Sequence, residues 1–243
     1  MWKLIRTAAS AAEDLLYPCR CPICQQISNG FCSRCAAELP FTGKSVCVTC
    51  GRPLLLPTEE YCPDCRTYTH AFDQSRSLLR YEGEVRESIH RIKYEHKKEY
   101  LDAYAKVMAE RMQEKLRQWD PQVLTYVPML PAARRKRGYN QAEELAGSFS
   151  GYTGLPCMDL LEKTEKTAEQ KKMDRVERRR NLQRAFAVRP EALDERGALP
   201  FQRILLIDDI YTTGSTVDAA SAVLKEHGAE KVYALTICIG QNL

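Results

Sequence analysis

The run of residues 204–216, Ile-Leu-Leu-Ile-Asp-Asp-Ile-Tyr-Thr-Thr-Gly-Ser-Thr, constrains the fold of this 243-residue chain more than any other segment. Its first four residues are apolar, which is typical of a strand buried on both faces of a parallel sheet. In such sheets ligands bind at the carboxyl ends of the strands, and Asp208 and Asp209 stand at that end. The run therefore predicts an α/β domain with a polar ligand site.

The residues at this strand end suit a phosphorylated ribose. Adjacent carboxylates can accept hydrogen bonds from vicinal ribose hydroxyls and help to hold Mg²⁺, which prefers oxygen ligands. The Thr-Thr-Gly-Ser-Thr segment that follows supplies N–H groups and hydroxyls, and it opens a helix whose positive end favours an anion. Ser and Thr are also ordinary helix N-caps, but the acidic pair on a buried strand favours a ligand site. We predict ribose and Mg²⁺ binding by Asp208 and Asp209, and 5-phosphate binding by Thr212, Thr213, Gly214, Ser215 and Thr216.

The rest of the chain alternates between strand and helix patterns. Apolar runs predict further strands near residues 75–81, 123–127, 185–188 and 231–239. Helical spacing predicts two helices between residues 85 and 116, and others at 140–149 and 215–227, with a loop at 128–138. This alternation predicts a mainly parallel sheet flanked by helices, formed by residues 71–243.

Nine of the eleven cysteines lie between residues 19 and 65. Eight form Cys-x2-Cys pairs, whose spacing suits tetrahedral Zn²⁺ in closed, structural sites rather than disulfide bonds. The predicted ligands are Cys21, Cys24, Cys32, Cys35, Cys47, Cys50, Cys62 and Cys65. We expect two zinc ions in a module of residues 1–70, with the first two pairs on one ion and the last two on the other; a cross-braced arrangement is the alternative. Cys19 is a spare thiol that could replace Cys21.

The formal net charge of +4 gives little indication of a nucleic-acid partner. Eight zinc-bound thiolates and two Zn²⁺ ions would lower this charge by four, so any such affinity must come from local clusters. The N-terminus has only a weakly apolar stretch, soon followed by Glu13 and Asp14, which fits neither a secretory signal nor a membrane span. We therefore expect a cytoplasmic protein with no membrane insertion.

The strand, acidic pair and Thr-Gly loop resemble the signature of type I phosphoribosyltransferases. With its cysteine pairs, the whole chain resembles the ComF family of bacterial competence proteins, which join a cysteine-rich module to a phosphoribosyltransferase-like domain. Three further segments carry this resemblance: residues 127–134, residues 137–142, and the stretch from Gln170 through Arg178 to Asn181, Ala185 and Phe186. The resemblance implies a type I phosphoribosyltransferase-like α/β fold with an N-terminal double zinc ribbon. It also implies 5-phosphoribosyl pyrophosphate with Mg²⁺ as ligand, and transforming single-stranded DNA and a competence helicase as partners.

A first basic cluster, residues 134–137, follows the strand predicted at 123–127. The resemblance places the pyrophosphate-binding loop here, and the negative charge that develops on a departing pyrophosphate requires cations and N–H groups. We predict pyrophosphate binding by Arg134, Arg137 and Gly138. A solvated basic turn or a nucleic-acid patch is the alternative.

A second basic cluster lies further along the chain, at residues 171–180. It is predicted either to close over pyrophosphate as a mobile flap or to contact the DNA backbone, and a plain solvated face is the alternative. The residues concerned are Lys171, Lys172, Arg175, Arg178 and Arg179.

Two functions fit these residues. The first is a competence protein whose pocket binds 5-phosphoribosyl pyrophosphate or a related ligand. The alternative is an active phosphoribosyltransferase, which transfers the phosphoribosyl group to a nitrogen acceptor in nucleotide metabolism, and both can hold together. No pattern in residues 66–100, where the acceptor-binding hood is expected, identifies the acceptor.

Overall fold

The computed structural model describes residues 19–164 and 185–240, so the second basic cluster, at residues 171–180, lies outside the described residues. The helices within these ranges are α1 (Ser33–Ala37), α2 (Pro63–Thr67), α3 (Gly83–Tyr94), α4 (Tyr100–Arg111), α5 (Gln113–Trp119), α6 (Pro131–Arg137), α7 (Gln141–Thr153) and α8 (Ser215–Glu226). The strands are β1 (Gln74–Arg80), β2 (Val123–Tyr126), β3 (Leu161–Lys163), β4 (Phe186–Val188), β5 (Arg203–Tyr211) and β6 (Lys231–Ile239).

The main sheet has four parallel strands in the order β1, β6, β5, β2. The apolar residues 204–207 of the central strand β5 are fully buried, and burial of one such side chain contributes about 1.5–3 kcal/mol. Strands β3 and β4 form a separate antiparallel pair. The prediction of a mainly parallel sheet is confirmed.

Helices cover the sheet and bring the site elements to one end of it. Helix α7 packs on β2 and β5 and against α4, while α8 packs on β5 and β6. Asn140 caps the N-terminus of α7, because its side-chain oxygen accepts a hydrogen bond from the Ala142 N–H at 3.1 Å. Gly154, with a φ of +74°, caps the C-terminus. Within residues 19–164 and 185–240, no helix is both long enough and apolar enough to cross a bilayer.

The cysteine-rich module pairs with the outer edge of β1. The Ser75 N–H donates to the Thr49 carbonyl at 2.7 Å, and the Arg80 N–H donates to the Pro40 carbonyl at 2.8 Å. Between them, the Thr42 N–H donates to the Leu78 carbonyl at 3.2 Å. An uncovered edge strand is a template for pairing with other chains, so the module protects an edge of the sheet. The division into units 1–70 and 71–243 stays a prediction.

Three local predictions were wrong. Two helices were predicted between residues 85 and 116, but a third, α5, begins at Gln113. Residues 131–137, predicted as a loop, form helix α6, which begins at Pro131 and is capped by Gly138 with a φ of +86°. Proline suits the first turn of a helix, where its missing N–H removes no helical hydrogen bond. Strand β5 also continues to Tyr211 instead of ending at Ile207, because Asp208, Ile210 and Tyr211 still pair with β6.

Candidate functional site

The acidic pair lies in the last part of β5 and faces a cavity of about 410 Å³. The Asp209 N–H donates to Oδ1 of Asp208 at 2.8 Å, which fixes the Asp208 carboxylate against the backbone. Burial, and then repulsion by the Asp209 carboxylate, raise the pKa of Asp208 to about 7. The pair therefore carries less than two full negative charges near neutral pH.

The loop between β5 and α8 has the backbone form of an anion cradle. Gly214 is the N-cap of α8, with a φ of +77°, and it provides no side-chain oxygen to cap the helix. A Cβ at this position would overlap the hydroxyl and ring of Tyr211, so both the backbone and the available space require glycine. The Thr213 and Ser215 hydroxyls lie 2.9 Å apart on the exposed side of the loop. The Ser215 N–H donates to the Thr213 hydroxyl at 3.4 Å, and the positive N-terminal end of α8 suits an anion.

Lys93, near the end of α3, contacts the acidic pair directly. Its Nζ lies 2.8 Å from Oδ2 of Asp209, and both side chains are largely buried. Burial opposes the charge on Lys93, but attraction to Asp209 raises the lysine pKa overall. Lys163, at the end of β3, also lines the cavity. Burial lowers the pKa of Lys163, although the negative charge of Asp208 opposes this shift. Two lysines thus accompany the two acids.

Arg137 reaches the same cavity from the end of α6. Its Nη1 donates to Oε1 of Gln141 at 2.7 Å, and its guanidinium lies 5.8 Å from the centroid of the Tyr94 ring. The buried Tyr139 hydroxyl donates to the carbonyl of Ile92, the residue before Lys93. This hydrogen bond ties together the two elements that carry Arg137 and Lys93.

The cavity brings together part of the predicted phosphoribosyl site. The predicted residues that line it are Asp208, Asp209, Thr212, Thr216 and Arg137. Among the described residues, Thr213, Gly214 and Ser215 form the adjoining loop without lining the cavity, and Gly138 ends α6. Arg134 is turned away and pairs with Glu143, with 3.0 Å between Nη2 and Oε2.

Sequence patterns did not predict that the cavity would be lined by Lys93 and Lys163. They also did not predict the polar lining residues Tyr81, Asn140 and Gln141. Lys93 lies in an ordinary amphipathic helix, and no spacing relates it to the acidic pair. Asn140 and Gln141 did fall within the segment that carried the family resemblance, and this was the only sequence signal for them. With three cations facing two acids, the cavity suits an anionic ligand.

The cysteines form two groups of four, in sequential order. Cys21, Cys24, Cys32 and Cys35 form one group and Cys47, Cys50, Cys62 and Cys65 the other, with the sulfurs of each group within 4.8 Å of one another. Tetrahedral Zn–S bonds of about 2.3 Å place sulfurs about 3.8 Å apart. The Sγ atoms of Cys24 and Cys32 are 3.8 Å apart, and those of Cys50 and Cys62 are 3.6 Å apart.

These groups fit two structural zinc ions. The observed separations are far from the roughly 2.05 Å of a disulfide, and all described cysteines are free. The Cys32 N–H also points at the Cys21 sulfur, 3.5 Å away, and such contacts stabilise a thiolate. Cys19 is exposed and belongs to neither group. The cross-braced arrangement is therefore not formed.

Comparison with known proteins finds a matching domain family for each part of the chain. Residues 12–66 match the double zinc ribbon domain, and residues 135–242 match the phosphoribosyl transferase domain. The chain is 25% identical to competence protein F of Haemophilus influenzae, over 84% of this chain and 88% of that protein. It is 28% identical to competence protein ComFC of Streptococcus pneumoniae, over 85% and 86% of the two chains. It is 27% identical to the DNA utilization protein YhgH of Escherichia coli K12, over 92% and 96%.

Proposed function

This chain is a homologue of the ComF, ComFC and YhgH proteins that joins a double zinc ribbon to a phosphoribosyltransferase domain, and we propose that it serves natural competence as a phosphoribosyl-binding protein. Its pocket would bind 5-phosphoribosyl pyrophosphate with Mg²⁺, or a related phosphoribosyl ligand. The protein would support the uptake or handling of transforming single-stranded DNA. It would act in the cytoplasm, where the free cysteines would stay reduced.

One observation carries the ligand proposal: the acidic pair and the loop that opens α8 border the same cavity as three cations. The carboxylates of Asp208 and Asp209 supply the oxygen atoms that ribose hydroxyls and Mg²⁺ require. The N-terminus of α8 suits a phosphate monoester, and Lys93, Lys163 and Arg137 suit a pyrophosphate. Pyrophosphate, diol and monoester occur together in 5-phosphoribosyl pyrophosphate.

The competence role rests on the relatives, two of which are competence proteins and one a DNA utilization protein. Contact with single-stranded DNA through the second basic cluster and docking to a competence helicase stay predictions. A test of the DNA contact is a binding titration with single-stranded oligonucleotides, in which the slope of affinity against salt reports the number of phosphates neutralised.

Calorimetry with 5-phosphoribosyl pyrophosphate and Mg²⁺ tests the ligand proposal. We expect saturable binding to the wild type and its loss in the Asp208→Asn, Asp209→Asn double variant. The variant Asp102→Asn, on α4 and outside the cavity lining, serves as a control that removes one acid without touching the pocket. A flat titration with the folded wild-type protein would refute phosphoribosyl binding.

An active phosphoribosyltransferase is the second candidate. The cations Lys93 and Arg137 favour it, because they share the cavity with the acidic pair and could receive charge on a departing pyrophosphate. Release of pyrophosphate in the presence of nitrogen bases would support transfer. Binding without release, combined with loss of transformation in the double variant, would instead support a ligand-sensing role.

A further inference from the structure

Arg52 connects the second four-cysteine group to the predicted phosphate loop, residues 212–216. This group, the second zinc cluster, consists of Cys47, Cys50, Cys62 and Cys65. Its Nη2 donates to the carbonyl of Thr212 at 3.2 Å, and its Nη1 donates to the carbonyl of Gly240 at 3.3 Å. Thr212 directly follows β5 and Gly240 directly follows β6, so the guanidinium bridges the carboxyl ends of the two central strands. The Arg52 side chain is only 16% exposed.

The backbone of Arg52 is itself part of the zinc-binding turn. Its carbonyl accepts a hydrogen bond from the Cys47 N–H at 2.8 Å, and the Gly51 N–H donates to the Cys47 carbonyl at 2.9 Å. The preceding Gly51 has a φ of +73°, and a Cβ there would lie 2.6 Å from the Ser75 carbonyl oxygen on β1. The turn therefore packs closely against the sheet, and this packing fixes the position of the Arg52 backbone.

The hydrogen bond to Thr212 affects the next peptide group. In a trans peptide the C=O and the N–H of the following residue point in opposite directions. Because Arg52 holds the Thr212 carbonyl toward the zinc ribbon, the Thr213 N–H is directed away from it. Loops that bind phosphate depend on such oriented N–H groups.

A second connection secures the other side of the loop. Asp218, in the first turns of α8, accepts hydrogen bonds from the Ala71 N–H at 2.6 Å and the Tyr68 hydroxyl at 3.0 Å. The ring of His70 lies 3.2 Å from the same carboxylate. Burial opposes the charge, but these contacts hold the pKa of Asp218 below its usual value. Arg52 therefore holds the start of the loop, and residues 68–71 hold the helix that follows it.

We propose that Arg52 is a positioning residue that orients the phosphate loop, so that ligand affinity depends on the second zinc cluster. This inference deepens the proposed phosphoribosyl function and rests on it. The zinc ribbon then acts on the pocket from a distance, since Arg52 contacts the loop backbone and not the ligand. An intact second cluster would be required for full affinity, whereas the first cluster has no equivalent contact with residues 212–216 in the described chain.

The first test compares Arg52→Gln with Arg66→Gln, which alters an exposed arginine of the same ribbon that pairs with Glu59. For Arg52→Gln we expect two zinc ions per chain as in the wild type. Binding of ribose 5-phosphate should be about tenfold weaker, because losing a charged hydrogen bond to the loop would leave its binding conformation about tenfold less populated. Amide hydrogen exchange in residues 212–216 should be about tenfold faster, with residues 204–207 unchanged. Arg66→Gln should match the wild type in all three measurements.

Chemical rescue separates orientation from general stability. Millimolar guanidinium ion should restore part of the affinity of Arg52→Ala for ribose 5-phosphate, and sodium chloride at equal ionic strength should not. A merely structural role would show no rescue and faster exchange throughout the domain, and this result would overturn the proposal.

Zinc dependence is tested with Cys65→Ser and Cys24→Ser, which remove partly buried ligands of the second and first clusters. Exchange at residues 212–216 should rise in Cys65→Ser and stay at the wild-type rate in Cys24→Ser. Equal exchange in both would overturn the proposal. If the wild type binds no ligand but exchange at residues 212–216 is still faster in Arg52→Gln, then Arg52 positions the loop and the proposed phosphoribosyl function is refuted. If Arg52→Gln binds ribose 5-phosphate as tightly as the wild type does, the positioning role of Arg52 is refuted and the proposed phosphoribosyl function is unaffected.

Discussion

The Nζ of Lys93 lies 2.8 Å from Oδ2 of Asp209, so an ion pair joins helix α3 to the acidic end of strand β5. The pair is largely buried, and it occupies one of the oxygen atoms that a ribose hydroxyl or Mg²⁺ would use. In the proposed complex a ribose hydroxyl or Mg²⁺ would share or displace this contact, and the lysine ammonium would face the ligand's phosphates. We therefore predict two roles for Lys93: it neutralises the acids in the free protein and would contribute positive charge to the complex.

Replacing Lys93 by methionine should raise the pKa of Asp208 above its value of about 7, because Lys93 is one of the cations that lowers it. Affinity for 5-phosphoribosyl pyrophosphate should fall about tenfold at neutral pH, since one charge-assisted contact is lost. Carboxyl ¹³C chemical shifts report the pKa and calorimetry the affinity. Lys97→Met is the control, because Lys97 pairs with Glu99 outside the cavity lining. An unchanged Asp208 titration would contradict the assigned coupling.

Ligand binding should depend on pH through Asp208. With a pKa of about 7, this carboxyl is protonated below neutral pH and must lose its proton before it can bind Mg²⁺ or accept a hydrogen bond from a ribose hydroxyl with its full charge. Affinity should thus fall by up to about tenfold for each pH unit below about 7 and level off above it. Calorimetry across this range measures the effect. The ligand's own phosphates also titrate, so binding of free Mg²⁺, which lacks phosphate, is the control.

Asp208→Asn should stabilise the folded protein at alkaline pH. The folded-state pKa of Asp208, about 7, lies above the value of about 3.9 expected in the unfolded chain, so protonated Asp208 favours folding only at lower pH. Its favourable effect is complete below about pH 4 and is lost as the pH rises through about 7. Differential scanning calorimetry should therefore show a higher Tm for Asp208→Asn at pH 8, by several degrees, and a smaller difference toward pH 4.

Asp194 provides a control, because its pKa is shifted in the opposite direction to that of Asp208. Hydrogen bonds from the backbone N–H of Ala198, then from the Arg196 side chain, hold the pKa of Asp194 below its usual value. Its stabilising effect is therefore present at neutral pH and is lost as the pH falls through the lowered pKa. Asp194→Asn should lower the Tm at pH 8, and a rise there would show that the pH argument fails.

Gly214→Ala should be far more damaging than Gly138→Ala. Both glycines have positive φ angles, +77° and +86°, but only at Gly214 would a Cβ overlap another side chain, that of Tyr211. Gly138→Ala should cost about 1 kcal/mol of strain in urea unfolding. Gly214→Ala should cost more and should also abolish binding of ribose 5-phosphate. Equal stability losses would indicate that the loop moves to make room.

Zinc removal should uncover the edge of β1. Metal analysis should find two zinc ions per chain, and Cys62→Ser should retain one, since the four cysteines of the first group remain. Stripping both ions with a chelator should lower the Tm and promote aggregation, because the module's hydrogen bonds to Ser75 and Arg80 cover a strand edge. Cys157→Ser, outside both groups, should keep both ions. A chain with fewer than about one zinc would contradict the two-cluster structure.

Much of the site could be predicted from short segments. A buried strand, two acids and a glycine-containing loop are contiguous in the chain, and each zinc cluster is built from pairs with fixed short spacing. The main local error, helix α6, arose because residues 131–137 carry four basic residues and no apolar stripe, so hydrophobic periodicity gave no signal. A proline at its first position was compatible with either a loop or a helix start.

The sequence by itself determined the chemistry carried within single segments: the parallel strand, the predicted phosphate loop and the two four-cysteine sites. Only the tertiary structure decided which distant residues act on them. Lys93 meets Asp209 because α3 ends near the carboxyl end of β5. Arg52 meets Thr212 because the zinc ribbon packs against β1 and reaches the carboxyl ends of β5 and β6. The physical reason is that periodicity and spacing record local backbone geometry, whereas contacts between separate segments depend on how their buried faces pack together.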